Sequence, residues 1–249
     1  MESPTTISLV LGSGGARGLA HIGVIQWLTE NGYDIRSIAG SSMGALVGGI
    51  FAANKLDVYA DWVSTLERIQ MVRLLDPAFG RTGLFKGERI IGVLREMIGD
   101  FEIEDLPVSF TAVAADLASG EEVWLREGKL FDAIRASIAA PPIFTPFEIG
   151  GRKLRDGAWA NPVPIGATVN DTTDLTVAVS LSGPIELGRP PSPNTRNPDV
   201  TVEIPRNACG PHEFWRADEL IVLGYERAAE AFAAAGIAAT GASRSLANA

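Results

Sequence analysis

Two adjacent serines, Ser41 and Ser42, stand between Gly40 and Gly44 in the stretch IAGSSMGA. A serine hydroxyl attacks a carbonyl when a neighbouring base takes its proton and N–H groups receive the charge that develops on oxygen. The pattern G-x-S-x-G puts the serine on a cramped turn from strand to helix, where the residues two before and two after it must be small enough for the backbones to pass. That spacing selects Ser42, flanked by Gly40 and Gly44. Choosing Ser41 would set Ala39 and Met43 in those places, and Met43 is too large. The motif is short, so its weight comes from where it falls: at a strand-to-helix turn read independently from the hydropathy pattern.

A second glycine-rich stretch, GSGGARG over residues 12–18, follows an apolar run and opens a helix. A dinucleotide fold would want G-x-G-x-x-G, but the third glycine place counted from Gly12 and Gly14 holds Arg17. It would also want an acid at the end of the second strand, where Ser41 and Ser42 stand. The better reading is an oxyanion hole, with the N–H groups of Gly14 and Gly15 converging on a carbonyl oxygen that no Cβ obstructs. Arg17 sits in the first turn of a helix, which disfavours a cation. A salt bridge that holds the loop, or direct contact with substrate, would offset that.

Three residues compete to be the base. His21 lies on the helix after the glycine loop, where a packed or solvated imidazole is the usual finding. His212 occupies the late position that an α/β-hydrolase triad would use, although that fold places several strands before its elbow and here only one precedes it. Asp156, in RDGAWANPVP, closes a hairpin strand; Gly157 allows a sharp turn, and Asn161-Pro162 stiffens the rest of the loop. A solvated aspartate is a weak base, so Asp156 would have to be desolvated or act in concert with attack.

These residues need a frame. ISLVL reads as a buried strand, GLAHIGVIQWLTENG as a helix stopped by glycine, SIAG as a second strand and MGALVGGIFAAN as a second helix. This βαβα start predicts parallel strands with the site at their carboxyl ends. Residues 57–71 and 87–98 read as helices. VSFTAVAAD with EEVWLRE, and FEIGGRKLRD, read as hairpins, with the helix LFDAIRASIAA between them. LTVAVSLS is a further core strand. Residues 183–211 carry seven of the fifteen prolines and no clear period, which predicts a long loop, and ADELIVLGYERAAEAFAAAG is the last helix. Residues 240–249 read as a frayed tail.

With 249 residues and 46% hydrophobic side chains, one domain spanning 1–249 is expected. The formal charge of −9 and the lack of a basic stripe exclude a nucleic-acid partner and give no general attraction to an anionic membrane. Any lipid contact would be apolar or local, transient and peripheral. One cysteine, Cys209, cannot form an internal disulfide. The start MESPTTISLVLGSGG lacks a basic n-region, and no run approaches the ~18 apolar residues of a membrane span, so the expectation is a cytoplasmic chain.

Four blocks, LGSGGARGLAHIGV, GSSMG, RASIAAPPIFTPFEI and DGAWANPVP, in this order and spacing, resemble those of the patatin-like phospholipases, in particular the small bacterial members. The resemblance covers residue 11 to about 164. It implies a three-layer α/β/α fold with a mainly parallel central sheet and metal- and cofactor-free hydrolysis of lipid acyl esters by a Ser-Asp dyad. Carried over, Ser42 is the nucleophile and Asp156, with Gly157 and Ala158, the D-G-A base motif. Gly14 and Gly15 donate to the oxyanion and Arg17 supports their loop. One departure is Ser13, which stands where the family has the first glycine of three. An α/β-hydrolase esterase using His212 and a non-catalytic lipid- or acyl-binding regulator are the competing functions.

Overall fold

The computed structural model describes residues 3–78, 83–168, 170–183 and 197–237. The start runs as the hydropathy pattern requires: β1 (Thr6–Leu11), α1 (Ala20–Glu30), β2 (Asp34–Ser41) and α2 (Met43–Ala52). A 3-10 turn, Gly15–Leu19, joins the glycine loop to α1. Then come α3 (Leu56–Ser64), α4 (Arg68–Arg73) and α5 (Glu88–Ile98). They are followed by β3 (Ser109–Asp116), β4 (Glu122–Leu125), α6 (Leu130–Ser137), β5 (Phe147–Ile149) and β6 (Arg152–Asp156). The last elements among the described residues are β7 (Leu175–Ser180), β8 (Val200–Glu203) and α7 (Ala217–Ala234).

The eight strands of the described residues form one sheet in the order β5-β6-β3-β2-β1-β7-β8, with β4 paired to β3 off this path. β3, β2, β1, β7 and β8 are parallel, while β4 and β6 run antiparallel to β3. The chain leaves β1 toward β2 and β3 and later returns to β1's other side as β7. The carboxyl ends of β1 and β2 therefore flank a point where the strand order reverses, the usual crevice of an open α/β sheet.

Alternation along the strands divides the core. Ile7, Leu9 and Leu11 of β1 join Val177 and Val179 of β7 under the α-helices. Val10 and Ala178 face the other way, against Val163 and the 3-10 turn Ile165–Thr168, and Ala167 of that turn also covers Ala39 and Val113. Among the described residues the third layer is thus thin, made of 3-10 turns, and it suits the small side chains beneath it. α7 closes the helical side: Phe232, 1% exposed, lies with its ring centroid 4.8 Å from Trp27 and 5.0 Å from Tyr33. Burying one such ring is worth about 2–3 kcal/mol.

Two expectations need correction. Residues 57–71 form two helices, because Glu67 and Gln70 make a reciprocal capping box that starts α4 afresh. The proline-rich stretch expected to be loop throughout contains β8, whose Val200 and Val202 are buried beside β7. Four residues among prolines are too few to show a period. Residues 184–196 of that stretch, and the 240–249 tail, lie outside the described residues.

Candidate active site

β2 ends at Ser41 and α2 begins at Met43, so Ser42 alone makes the turn, at φ 57° and ψ −121°. Among the described non-glycine residues only Ser42 and Asn54 have positive φ. Such a conformation costs of order 1–3 kcal/mol and persists only where the surroundings impose it. Here they do. A Cβ on Gly44 would lie 2.0 Å from the Leu11 carbonyl oxygen, and one on Gly40 would lie 2.4 Å from the Gly44 carbonyl. The backbones of β1, β2 and α2 touch at the two glycines, and the serine between them is lifted clear.

The Ser42 hydroxyl donates to Asp156 Oδ2 at 2.6 Å. Its N–H donates to Ser137 Oγ at 2.9 Å, and the Ser137 hydroxyl donates to the Val113 carbonyl at 2.6 Å, tying the elbow to β3 through α6. Ser41 is fully buried, and its Oγ has no hydrogen-bond partner among the described residues. The serine selected by the spacing is therefore the one that meets a carboxylate.

Asp156, the last residue of β6, is 4% exposed. Its N–H donates to the Ala139 carbonyl, and its Oδ1 accepts from the Ala158 N–H at 2.8 Å, so both carboxylate oxygens are held. Burial pushes its pKa from 3.8 up to about 6, against the pull of the bonds from Ser42 and the Ala158 amide. This is the desolvated aspartate that a base role requires. Gly157 and Ala158 form the short turn that caps the strand.

In the glycine loop, the Gly12, Ser13 and Ala16 amides donate to the carbonyls of Val179, Pro162 and Pro211. The Gly14 and Gly15 amides have no such partner among the described residues and stay available, at the carboxyl end of β1 beside the start of α2. Gly15 has φ +58°, which a side chain would resist. Ser13 does not have positive φ, so a serine at that place is accommodated without strain.

Both histidines stand apart from Ser42. His21 is fully buried, and its Nε2–H donates to the Gly12 carbonyl at 2.8 Å, which braces the glycine loop from behind. Burial lowers its pKa to about 4, so the ring is neutral. His212 is exposed and makes no hydrogen bond with Ser42 or Asp156 among the described residues. Arg17 makes no ion pair there either; its Nη1 donates to the Arg206 carbonyl at 2.6 Å. The salt bridge expected for Arg17 is replaced by a bond to backbone just past β8, which still anchors the loop. Sequence reasoning missed Ser137, although it lies inside the RASIAAPPIFTPFEI block. A serine at the end of a helix gives no signal until its partners across the sheet are known.

The open α/β sheet thus carries a strained serine elbow with a buried aspartate on its hydroxyl, the pairing that nucleophilic attack by a serine requires. A family model described as patatin-like phospholipase matches residues 9–169, and the chain belongs to that family. An uncharacterized NTE family protein of Mycobacterium tuberculosis is 49% identical over 202 residues, covering 81% of this chain and 55% of that protein. The mouse patatin-like phospholipase domain-containing protein 6 is 31% identical, over 72% of this chain and 15% of its own length. The chain thus spans about half the length of the mycobacterial relative. The crystal structure of VipD from Legionella pneumophila has the same fold, with TM-score 0.55 at 11% identity over 94% of this chain and 67% of that one.

Proposed function

We propose that the chain is a serine acyl hydrolase that cleaves carboxylic esters of lipids, such as phospholipids, lysophospholipids or acylglycerols, with a Ser42-Asp156 dyad. Ser42 Oγ attacks the ester carbonyl while its proton passes to Asp156 Oδ2. The oxyanion takes hydrogen bonds from the Gly14 and Gly15 amides, aided by the positive end of α2. Collapse of the tetrahedral adduct breaks the bond to the leaving oxygen, which receives the proton from Asp156. Water, deprotonated by the same carboxylate, then hydrolyses the acyl-enzyme and restores the Ser42 hydroxyl.

The observation that carries this reading is the 2.6 Å hydrogen bond from the Ser42 hydroxyl to a carboxylate 4% exposed. A triad on His212 is disfavoured by that residue's exposure, and one on His21 by its bond to Gly12. The family description, patatin-like phospholipase, supports the lipid ester as substrate class. A fluorophosphonate ester should phosphonylate the protein, and peptide mapping should find the adduct on Ser42. An adduct on Ser41, or none on folded protein, refutes the assignment and favours a non-catalytic lipid-binding role.

A further inference from the structure

We propose that α4 and the segment carrying Leu84 dock the protein on an anionic phospholipid bilayer, an inference that builds on the lipid-ester reading of the site. α4 has no buried residue. Its Ile69 and Val72 are 61% and 67% exposed, and Leu84 is 61% exposed. Ile69 and Val72 are three residues apart on a helix, so they share one face. Among the described residues, none of the three belongs to a hydrophobic cluster of the core.

The charge around these aliphatic side chains selects a membrane. Over the described residues from Glu67 to Arg89 there are four basic residues, Arg68, Arg73, Lys86 and Arg89, in a chain of net charge −9. The three acids of the stretch are engaged within the fold. Glu67 caps α4, Asp76 accepts from the Gly87, Glu88 and Arg89 amides, and Glu88 faces the buried Arg135 at 3.6 Å. Among the described residues, Arg68, Arg73, Lys86 and Arg89 make no ion pair with a carboxylate. Exposed aliphatic groups flanked by such cations complement acyl chains below lipid phosphates. This is the local lipid contact that the overall acidity leaves room for.

The surface is tied to the site. The Leu84 and Phe85 amides donate to the Pro142 and Ile143 carbonyls, in the strip that begins at Ala139, whose carbonyl holds the Asp156 amide. Trp159, 59% exposed, lies three residues beyond Asp156. A bilayer seated on α4 and Leu84 is therefore anchored through the same strip that holds the dyad's carboxylate.

Vesicle co-sedimentation of the full chain tests this, with phosphatidylcholine alone and phosphatidylcholine mixed with phosphatidylglycerol. Wild type should sediment with the mixed vesicles and about tenfold less with the neutral ones. Ile69→Asp/Val72→Asp and Arg68→Ala/Arg73→Ala should each weaken binding to the mixed vesicles by about tenfold or more, while hydrolysis of a soluble p-nitrophenyl ester and the circular dichroism spectrum stay as in wild type. Equal sedimentation with both lipids, or undiminished binding by either variant, overturns the proposal. So does a wild-type dimer in gel filtration that Ile69→Asp/Val72→Asp abolishes, because a second copy would then cover this face. Loss of esterase activity in wild type would instead count against the hydrolase reading and leave the vesicle result standing on its own.

Discussion

Replacing Asp156 by asparagine should move activity and stability in opposite directions, with sizes set by the same burial. In the proposed dyad Asp156 is the base, and losing the share of the rate that general-base catalysis commonly gives should lower kcat on a p-nitrophenyl ester by about 10²–10⁴. The folded pKa is raised from 3.8 to about 6. The folded state therefore binds the proton more tightly than the unfolded chain, and the associated stability is present below pH 3.8 and lost as pH rises through about 6. About two units at 1.36 kcal/mol each makes ionised Asp156 a cost of about 3 kcal/mol at pH 8. Asparagine mimics the protonated side chain and keeps partners for Ser42 and the Ala158 amide. Asp156→Asn should then be more stable than wild type by up to about 3 kcal/mol at pH 8 in urea unfolding, and the gain should vanish near pH 4. For wild type, kcat/KM should fall on the acid side with a pKa near 6. A variant within tenfold of wild-type activity refutes the dyad; a variant no more stable at pH 8 refutes the desolvated carboxylate.

Three further outcomes are expected. Ser137→Ala strips the Ser42 amide and the Val113 carbonyl of their partner, so stability should drop by about 1–3 kcal/mol in urea titrations and kcat should fall more than KM changes. Wild type should lose stability relative to His21→Gln by about 3 kcal/mol as pH falls from 6.5 to about 4, because the unfolded imidazole takes up a proton that the buried ring refuses; His212→Ala should leave kcat nearly unchanged, as pH-dependent unfolding and ester kinetics will report.

The parts legible in the sequence are those where backbone geometry restricts the residue type. Gly40 and Gly44 announce the elbow because nothing larger fits between β1, β2 and α2, and the glycine loop is read for the same reason. The hairpin before Asp156 declares itself through Gly150 and Gly151, both at positive φ. The illegible parts depend on partners distant in the chain. Ser137 acquires its place only when α6 packs over β3, and Arg17 looks like half of an ion pair until Arg206 presents a carbonyl. His21 could be read as base or as packing until Gly12 turns its oxygen toward the ring. β8 is too short to show a period, and Glu67 breaks a helix whose hydropathy runs on through it.

Register is what finally joins the dyad, and no local pattern encodes it. Ser41 of β2 lies opposite Val113 of β3, and on the same side of β3 the next residue, Ala114, lies opposite Asp156 of β6, while β4 occupies the other side. The strand that leads into Ser42 and the strand that ends at Asp156, 114 residues further along the chain, thus meet end to end on adjoining rungs along one edge of β3. One step along a strand is about 3.3 Å, so side chains from these two strand ends are close enough to meet. The positive φ at Ser42 turns its hydroxyl off the end of β2, and the Ser137 bond holds the elbow against β3. β6 supplies the other half by pairing only with Ala114, Ala115 and Asp116, so that, although antiparallel, it ends at the carboxyl edge of the parallel strands. A slip of one residue in β6 would send Asp156 to the opposite face of the sheet. The bond from the Asp156 amide to Ala139 and the paired residues Leu154 and Phe147 hold that register. The hairpin from Phe147 to Asp156, outwardly a minor edge of the sheet, is therefore what puts the carboxylate within 2.6 Å of the serine.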